Sequence, residues 1–434
     1  MSRFRRIAVV SSKSGPKVAA GAIHFAFTNS ANLGLMRSRI IGVRNWRRRG
    51  ALLAAAIAIV VTTLAMVAPG TFARPSMSTE VRSVIARDID PMAAANGAGG
   101  VAVAVRMNGR TLFFNYGYAD QVEKRPITSD ELFNVGSVRK VFEATLVAEA
   151  VQRGELSLDD PVNKYVTELH GDYISRVTIG QLATHTSGLS LPTDHPPWPT
   201  QHYSLAGFYD ALNAFTPHNG EAPGKQHIYS HAGYILLQLA LERRYGKPIS
   251  ALIETGVTKP LGMKSTVVPE RGADGRAIMS PELLARTVQG YSQSGLPIGL
   301  PGDQQGYFDF SGTGQMFSTA RDLSILLAAC LDDGAVDPQV WDALQMTQRE
   351  AFRVGPQAGQ AMAWETITPT TMGTDGPTIV DKPGGLNNAS AYIGLVPERK
   401  IGIVILANRG DVHPFEAARS TILPALSRMW ISGL

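Results

Sequence analysis

Strand-forming sequence lies at both ends of this chain and helix-forming sequence fills the middle, which limits the folds open to it. Near the start, residues 101–105 and 111–114 are apolar and flank Asn108-Gly109, a dipeptide suited to the positive-φ positions of a two-residue turn, so a hairpin is expected over residues 100–120. Near the end, residues 390–396 and 401–408 are again apolar and β-prone, joined across Pro397-Glu398-Arg399-Lys400, with a closing helix expected over 416–432. Between them, periodicity and caps place helices at 179–184, 204–215, 232–245, 249–261 and 319–331. The expected fold class is α+β: one antiparallel sheet from both chain ends, flanked by helices, with an inserted, mostly helical domain. Its boundaries are a basic N-terminal segment at 1–73 and a globular domain at 74–434. Within that domain the sheet part spans about 74–130 and 375–434, and the helical part about 131–374. No internal repeat or low-complexity segment interrupts it.

Charge is distributed as unevenly as strand propensity. Residues 1–73 hold eleven of the 41 Lys and Arg residues and no Asp or Glu, leaving 30 basic against 36 acidic residues in the remainder. No basic surplus remains on the globular part to bind nucleic acid. Arg44-Asn45-Trp46-Arg47-Arg48-Arg49 abuts an apolar run at 51–68 that exits through Thr71-Phe72-Ala73, the layout of an export signal with Ala73 as candidate cleavage point. The run is also long enough to span a bilayer, so an uncleaved anchor is the alternative. Met36 is a second candidate start, which would leave residues 1–35 untranslated. The expected location is periplasmic or secreted, or anchored in the inner membrane, with membrane contact only through residues 51–68. The single cysteine, Cys330, lies in the apolar run LSILLAACL and is read as a core residue.

Chemistry concentrates in residues 133–162, FNVGSVRKVFEATLVAEAVQRGELSLDDPV. Apolar residues follow Lys140 at mostly three- and four-residue intervals, and Gly154 is a C-terminal stop. Ser137 and Lys140, three apart, then lie about one helical turn from each other on one face. Ser137 falls at the helix N-terminus, where free N–H groups and the macrodipole favour negative charge. Such a spacing arises by chance about once in a chain of this length; Ser14-Gly15-Pro16-Lys17 is a second instance, and its Gly-Pro pair opposes a helix. Alone, the spacing fits a capping serine followed by a solvated lysine as well as it fits a nucleophile and its base.

Three further motifs follow in order: Thr184-His185-Thr186-Ser187-Gly188-Leu189; Pro223-Gly224-Lys225-Gln226-His227-Ile228-Tyr229-Ser230-His231; and Asp381-Lys382-Pro383-Gly384-Gly385, running into the two late strands. The ordered set resembles the serine β-lactamase and penicillin-binding-protein superfamily, most closely the class C β-lactamases and their esterase relatives, from about residue 100 to the end. The resemblance implies an antiparallel sheet plus a helical domain with the active site between them. It also implies acylation of Ser137, Lys140 and Tyr229 as the proton-transferring groups, and an oxyanion hole from the Ser137 and Gly385 N–H groups. Lys382, His231 and Asn387 are implied to bind substrate. Burial and the nearby cation Lys382 would favour the neutral amine that Lys140 needs to act as a base.

Three departures from the class C pattern bear on substrate. His231 stands where that class has asparagine, and adds a titratable group. Pro383 replaces threonine between lysine and glycine, removing a hydroxyl and a backbone donor. The loop after Gly188 lacks a glutamine. Tyr229 and Lys382 also admit structural readings, as a core tyrosine and a strand-end lysine. Lys400-Ile401-Gly402 lies at a strand turn and receives no role. His227 and His231, four apart, lack acidic or cysteine partners, so no metal site and no cofactor is expected. His185 is read as a structural loop residue. The Gly-x-Ser-x-Gly elbow of α/β-hydrolases is absent. The expectation is an exported, monomeric serine hydrolase acting on a small-molecule substrate, a class C-like β-lactamase. Its rivals are an esterase or D-aminopeptidase or DD-peptidase of the same fold, and a penicillin-binding sensor that stays acylated.

Overall fold

The strand-rich chain ends meet in the middle of one antiparallel sheet. The computed structural model describes residues 76–94, 99–191, 204–217, 220–304, 315–332, 336–369 and 377–431. Residues 1–73, with the expected export segment, lie outside them, as does most of the proline-rich stretch after Leu191. No described helix is long and apolar enough to cross a membrane.

Nine strands form the sheet: β1 (Gly100–Met107), β2 (Arg110–Asp120), β3 (Arg125–Pro126), β4 (Phe352–Gly355), β5 (Ala358–Gln360), β6 (Glu365–Ile367), β7 (Ile379–Leu386), β8 (Ala389–Val396) and β9 (Ile401–Ala407). Their order is β4-β5-β6-β7-β8-β9-β1-β2-β3. The hairpin turn is as expected: Asn108 and Gly109 have φ of 52° and 71°, and Met107 pairs with Arg110. β1 also pairs with β9, Val103 opposite Ile405, which joins the two ends of the chain.

The central strands read as continuous apolar runs because both faces are covered. Val101, Val103, Val105, Ile403 and Ile405 pack with Val81, Ile85 and Ile89 of helix α1 (Met77–Ala94) and with Leu423 and Leu426 near the C-terminus. Ala102, Ala104, Val404 and Leu406, the alternate positions, face the helical region. Each Val, Leu or Ile fully buried there contributes about 1.5–3 kcal/mol. Cys330 is buried in this layer, and burial pushes its thiol up to about 12.

Two expectations need correction. The C-terminal part of the sheet begins at Phe352 and not near 375: β4, β5 and β6 are four, three and three residues long, too short to show a period of two. The helix Ala320–Leu331 also packs against the sheet, with Leu327 and Leu331 so close to Gly402 that a Cβ there would lie 2.9 and 3.0 Å from their methyls. Residues 320–367 therefore do not belong wholly to a separate helical part.

Asn408, just past β9, ties the centre together. Its Oδ1 accepts from Gly100 N at 2.6 Å, while Nδ2 donates to the carbonyls of Gln289 at 2.8 Å and Tyr118 at 3.1 Å. The residue is fully buried. Asn408→Ala would leave the buried Gly100 N–H and Gln289 carbonyl without this partner, a cost of about 2–4 kcal/mol. The expected result is a lower urea midpoint with unchanged m-value.

Candidate active site

Ser137 lies in a 3-10 turn, Gly136–Val138, that leads directly into helix α2 (Arg139–Gln152). The helix is not amphipathic as expected: every residue from Arg139 to Ala148 is buried. Glu143 pairs with Arg139 at 2.7 Å inside the protein, and Arg139 Nη2 donates to Gln238 Oε1 at 2.6 Å. This pair was not legible as a buried one, because an i,i+4 Arg-Glu spacing also suits an exposed helix face.

Burial of α2 puts the Lys140 ammonium inside, with no exposed surface, while Ser137 stays half-buried. Lys140 Nζ donates to Ser137 Oγ at 3.3 Å. On the other side, Ser137 Oγ and Tyr229 Oη are 2.6 Å apart. The three side chains expected to share a proton are thus in one hydrogen-bonded chain. Lys140 and Lys382 also lie 5.2 and 4.7 Å from the Tyr229 ring centroid. Two cationic side chains thus flank one phenol ring.

Tyr229 is braced by the motif that contains His185. Thr178 caps the short helix Ile179–Ala183 through a capping box with Gln181, and His185 then adopts a left-handed φ of 54°. Ile228 N donates to the His185 carbonyl at 2.9 Å, and Gly224 N to that of Thr186 at 2.7 Å. Ser230 N donates to His185 Nδ1 at 3.2 Å, so the neutral ring carries its proton on Nε2. Burial first, then the charges of Lys382 and Lys140, hold the imidazole well below its usual value. His185 is a neutral platform whose ring centroid lies 4.4 Å from that of Tyr229.

Strand β7 supplies the opposite wall. A Cβ on Gly384 would lie 2.3 Å from the Val135 carbonyl and 3.2 Å from Ser137 N. A Cβ on Gly136, whose φ is +51°, would lie 3.1 Å from Gly385 N. Backbone therefore meets backbone between strand β7 and the Ser137 turn, and Gly385 itself faces open space. Lys382 is in contact range of Glu365 at 3.8 Å. Pro383 lies where β6 no longer covers β7, since their pairing ends at Asp381; proline is tolerated at such an edge. Asn387 is exposed in the β7-β8 turn, two residues beyond Gly385.

His227 and His231 have different neighbours. His227 Nε2 donates to Gln360 Oε1 at 2.9 Å, since the Gln360 amide nitrogen is committed to the carbonyls of Ala361 and Trp364. His231 opens its helix with its ring edge-on to Tyr229, centroids 5.3 Å apart. No group of three or more His, Cys, Asp or Glu side chains able to hold a metal is found among the described residues. Lys400 takes a left-handed φ of 49° at the strand turn.

Known proteins share this arrangement of chain. A beta-lactamase of Pseudomonas fluorescens is 28% identical over 361 residues, covering 76% of this chain and 94% of its own. One of Escherichia coli K12 is 26% identical over 374 residues, covering 79% and 92%. Among solved structures, a class C beta-lactamase superposes with a TM-score of 0.69 at 26% identity, covering 80% of this chain and 96% of its own. A D-alanine carboxypeptidase of Burkholderia cenocepacia gives 0.67 at 27%, covering 82% and 100%. The family model described as Beta-lactamase matches residues 85–426, which take in all four motifs. The chain belongs to the beta-lactamase family, as a serine hydrolase with that family's fold.

Proposed function

We propose that the protein is an exported class C-like β-lactamase that opens the lactam ring through a Ser137 acyl-enzyme. The observation that carries this reading is the chain Lys140 Nζ, Ser137 Oγ, Tyr229 Oη at 3.3 and 2.6 Å, with Lys382 against the same phenol.

In acylation, Ser137 Oγ bonds to the lactam carbonyl carbon and gives its proton to the Lys140–Tyr229 unit. The developing oxyanion lies between the Ser137 and Gly385 N–H groups. The C–N bond then breaks and the ring nitrogen takes the proton back from that unit. In deacylation, a water proton passes to the same unit as the water oxygen bonds to the ester carbon; the acyl C–Oγ bond then breaks and the unit returns the proton to Ser137 Oγ. How Lys140 and Tyr229 divide the proton is a property of the pair, because such groups titrate together. Lys382 draws in the substrate carboxylate and orients the carbonyl over Ser137. Export is supported by the basic cluster at 44–49 and the apolar run after it.

Pro383 favours a second reading, an esterase or peptidase of the same fold, because it lacks the hydroxyl and N–H that would help hold a carboxylate. Intact-mass spectrometry of the protein with a cephalosporin separates the two. The expected result is a Ser137-dependent adduct that decays with product release, on a mature chain starting at Arg74. A persistent adduct would make the protein a penicillin-binding sensor, and neither adduct nor product would favour the esterase or peptidase.

A further inference from the structure

Lys382 shares its edge of the sheet with a second cation. Arg419, beyond the last strand, donates through Nε and Nη2 to the two oxygens of Asp381, both at 2.7 Å, and Nη2 also reaches Glu365 Oε2 at 2.8 Å. Tyr392 Oη adds a bond to Asp381 Oδ2 at 2.8 Å. Asp381 and Glu365 are register partners in β7 and β6, so one arginine ties the two strands together where their pairing ends. The other oxygen of Glu365 lies 3.8 Å from Lys382 Nζ. One carboxylate is thus divided between two cations, hydrogen-bonded to Arg419 and in a longer ion pair with Lys382.

The division has an electrostatic consequence. Lys382 is 2% exposed and Glu365 31%, so the carboxylate is the more accessible of the two. Burial would raise the Glu365 carboxyl, but Lys382 and Arg419 outweigh it and hold it below the usual range, so it is ionised at neutral pH. A carboxylate entering from solvent therefore meets Lys382 with an anion already beside it. Like charges at that distance repel, and the ammonium's field is partly spent.

We propose that Glu365 is a specificity-determining residue: an internal counter-ion that competes with the substrate carboxylate for Lys382, and that Arg419 holds at 3.8 Å. The proposal rests on the reading in which Lys382 receives that carboxylate. Arg419 touches no substrate and acts through Glu365. Its bond to Glu365 sets how much of the Lys382 charge remains for an anionic ligand, so preference for anionic over neutral substrates is tuned from the far side of the sheet.

The test is the rate of Ser137 acylation, followed by intact mass, with benzylpenicillin and with its methyl ester, which differ only in the carboxylate. Glu365→Gln should raise the penicillin-to-ester ratio about three- to tenfold, the range of a half-exposed charge pair. Arg419→Lys keeps a cation for Asp381 but loses the second arm of the fork. It should release Glu365 toward Lys382 and lower the ratio by a similar factor. An unchanged ratio in both variants, or equal changes for acid and ester, would overturn the proposal while leaving the acylation chemistry intact. If neither compound acylated the wild-type protein, the β-lactam reading would fall and this proposal with it.

Discussion

Ser137→Ala is expected to lower kcat/KM by at least about 10⁴-fold on every substrate the protein turns over. The change removes one oxygen and leaves the remaining groups in place: Lys140 buried, Tyr229 braced by the His185 loop, and β7 against the 3-10 turn. Ser137 is half-buried, and its hydroxyl bonds only side chains that have other neighbours, so the loss in stability should be about 0.5–1.5 kcal/mol. The variant should therefore fold, with a far-UV spectrum like the wild type's, and form no covalent adduct. Any remaining rate would come from the oxyanion donors and substrate positioning. If Ser137 and Lys140 act as one unit, as proposed, Lys140→Met combined with Ser137→Ala should be hardly slower than either alone. Activity of Ser137→Ala within tenfold of wild type would eliminate the acyl-enzyme.

That Ser137 and Lys140 could be picked out at all reflects the local nature of the signal. A three-residue spacing on a helix fixes relative position without reference to the rest of the fold. The Asn108-Gly109 turn and the two late strands were legible for the same reason. Tyr229 became a candidate only through the ordered resemblance, because 92 residues separate it from Ser137. What the sequence did not disclose depends on convergence. Glu365 sits in a three-residue strand with no periodicity, and its meaning comes from Arg419, 54 positions later. His185 looked like an ordinary loop histidine, and its role as a neutral platform follows from burial between two tyrosines and two lysines. Arg139 and Glu143 carry no sequence mark of burial, because charge normally marks a solvated face; here that face is buried against Gln238.

Gly384→Ala should abolish most activity without touching a side chain that takes part in the chemistry. The new Cβ would fall 2.3 Å from the Val135 carbonyl and 3.2 Å from Ser137 N. Neither neighbour is the flexible end of a side chain, so backbone must move. Two separations are open: β7 can retreat from the 3-10 turn, or the turn can lift from β7. Either one widens the gap between the Ser137 and Gly385 N–H groups and carries Lys382 away from Tyr229. A displaced oxyanion donor costs about 10²–10³ in rate, and a shift of about 1 Å in a reacting group about 10². Overpacking should destabilise the fold by about 1–3 kcal/mol, which thermal unfolding would record as a modest fall in Tm. Gly385→Ala is the control, since a Cβ at that position meets nothing within 4 Å; its Tm should stay near the wild type's. If Gly384→Ala retained more than about a tenth of wild-type acylation, the close approach of β7 to the turn could not be what sets the oxyanion site. A loss of at least about 10² in acylation with most of the Tm retained would place the effect in the geometry of the two N–H groups, because the hydroxyl, amine and phenol are all still present.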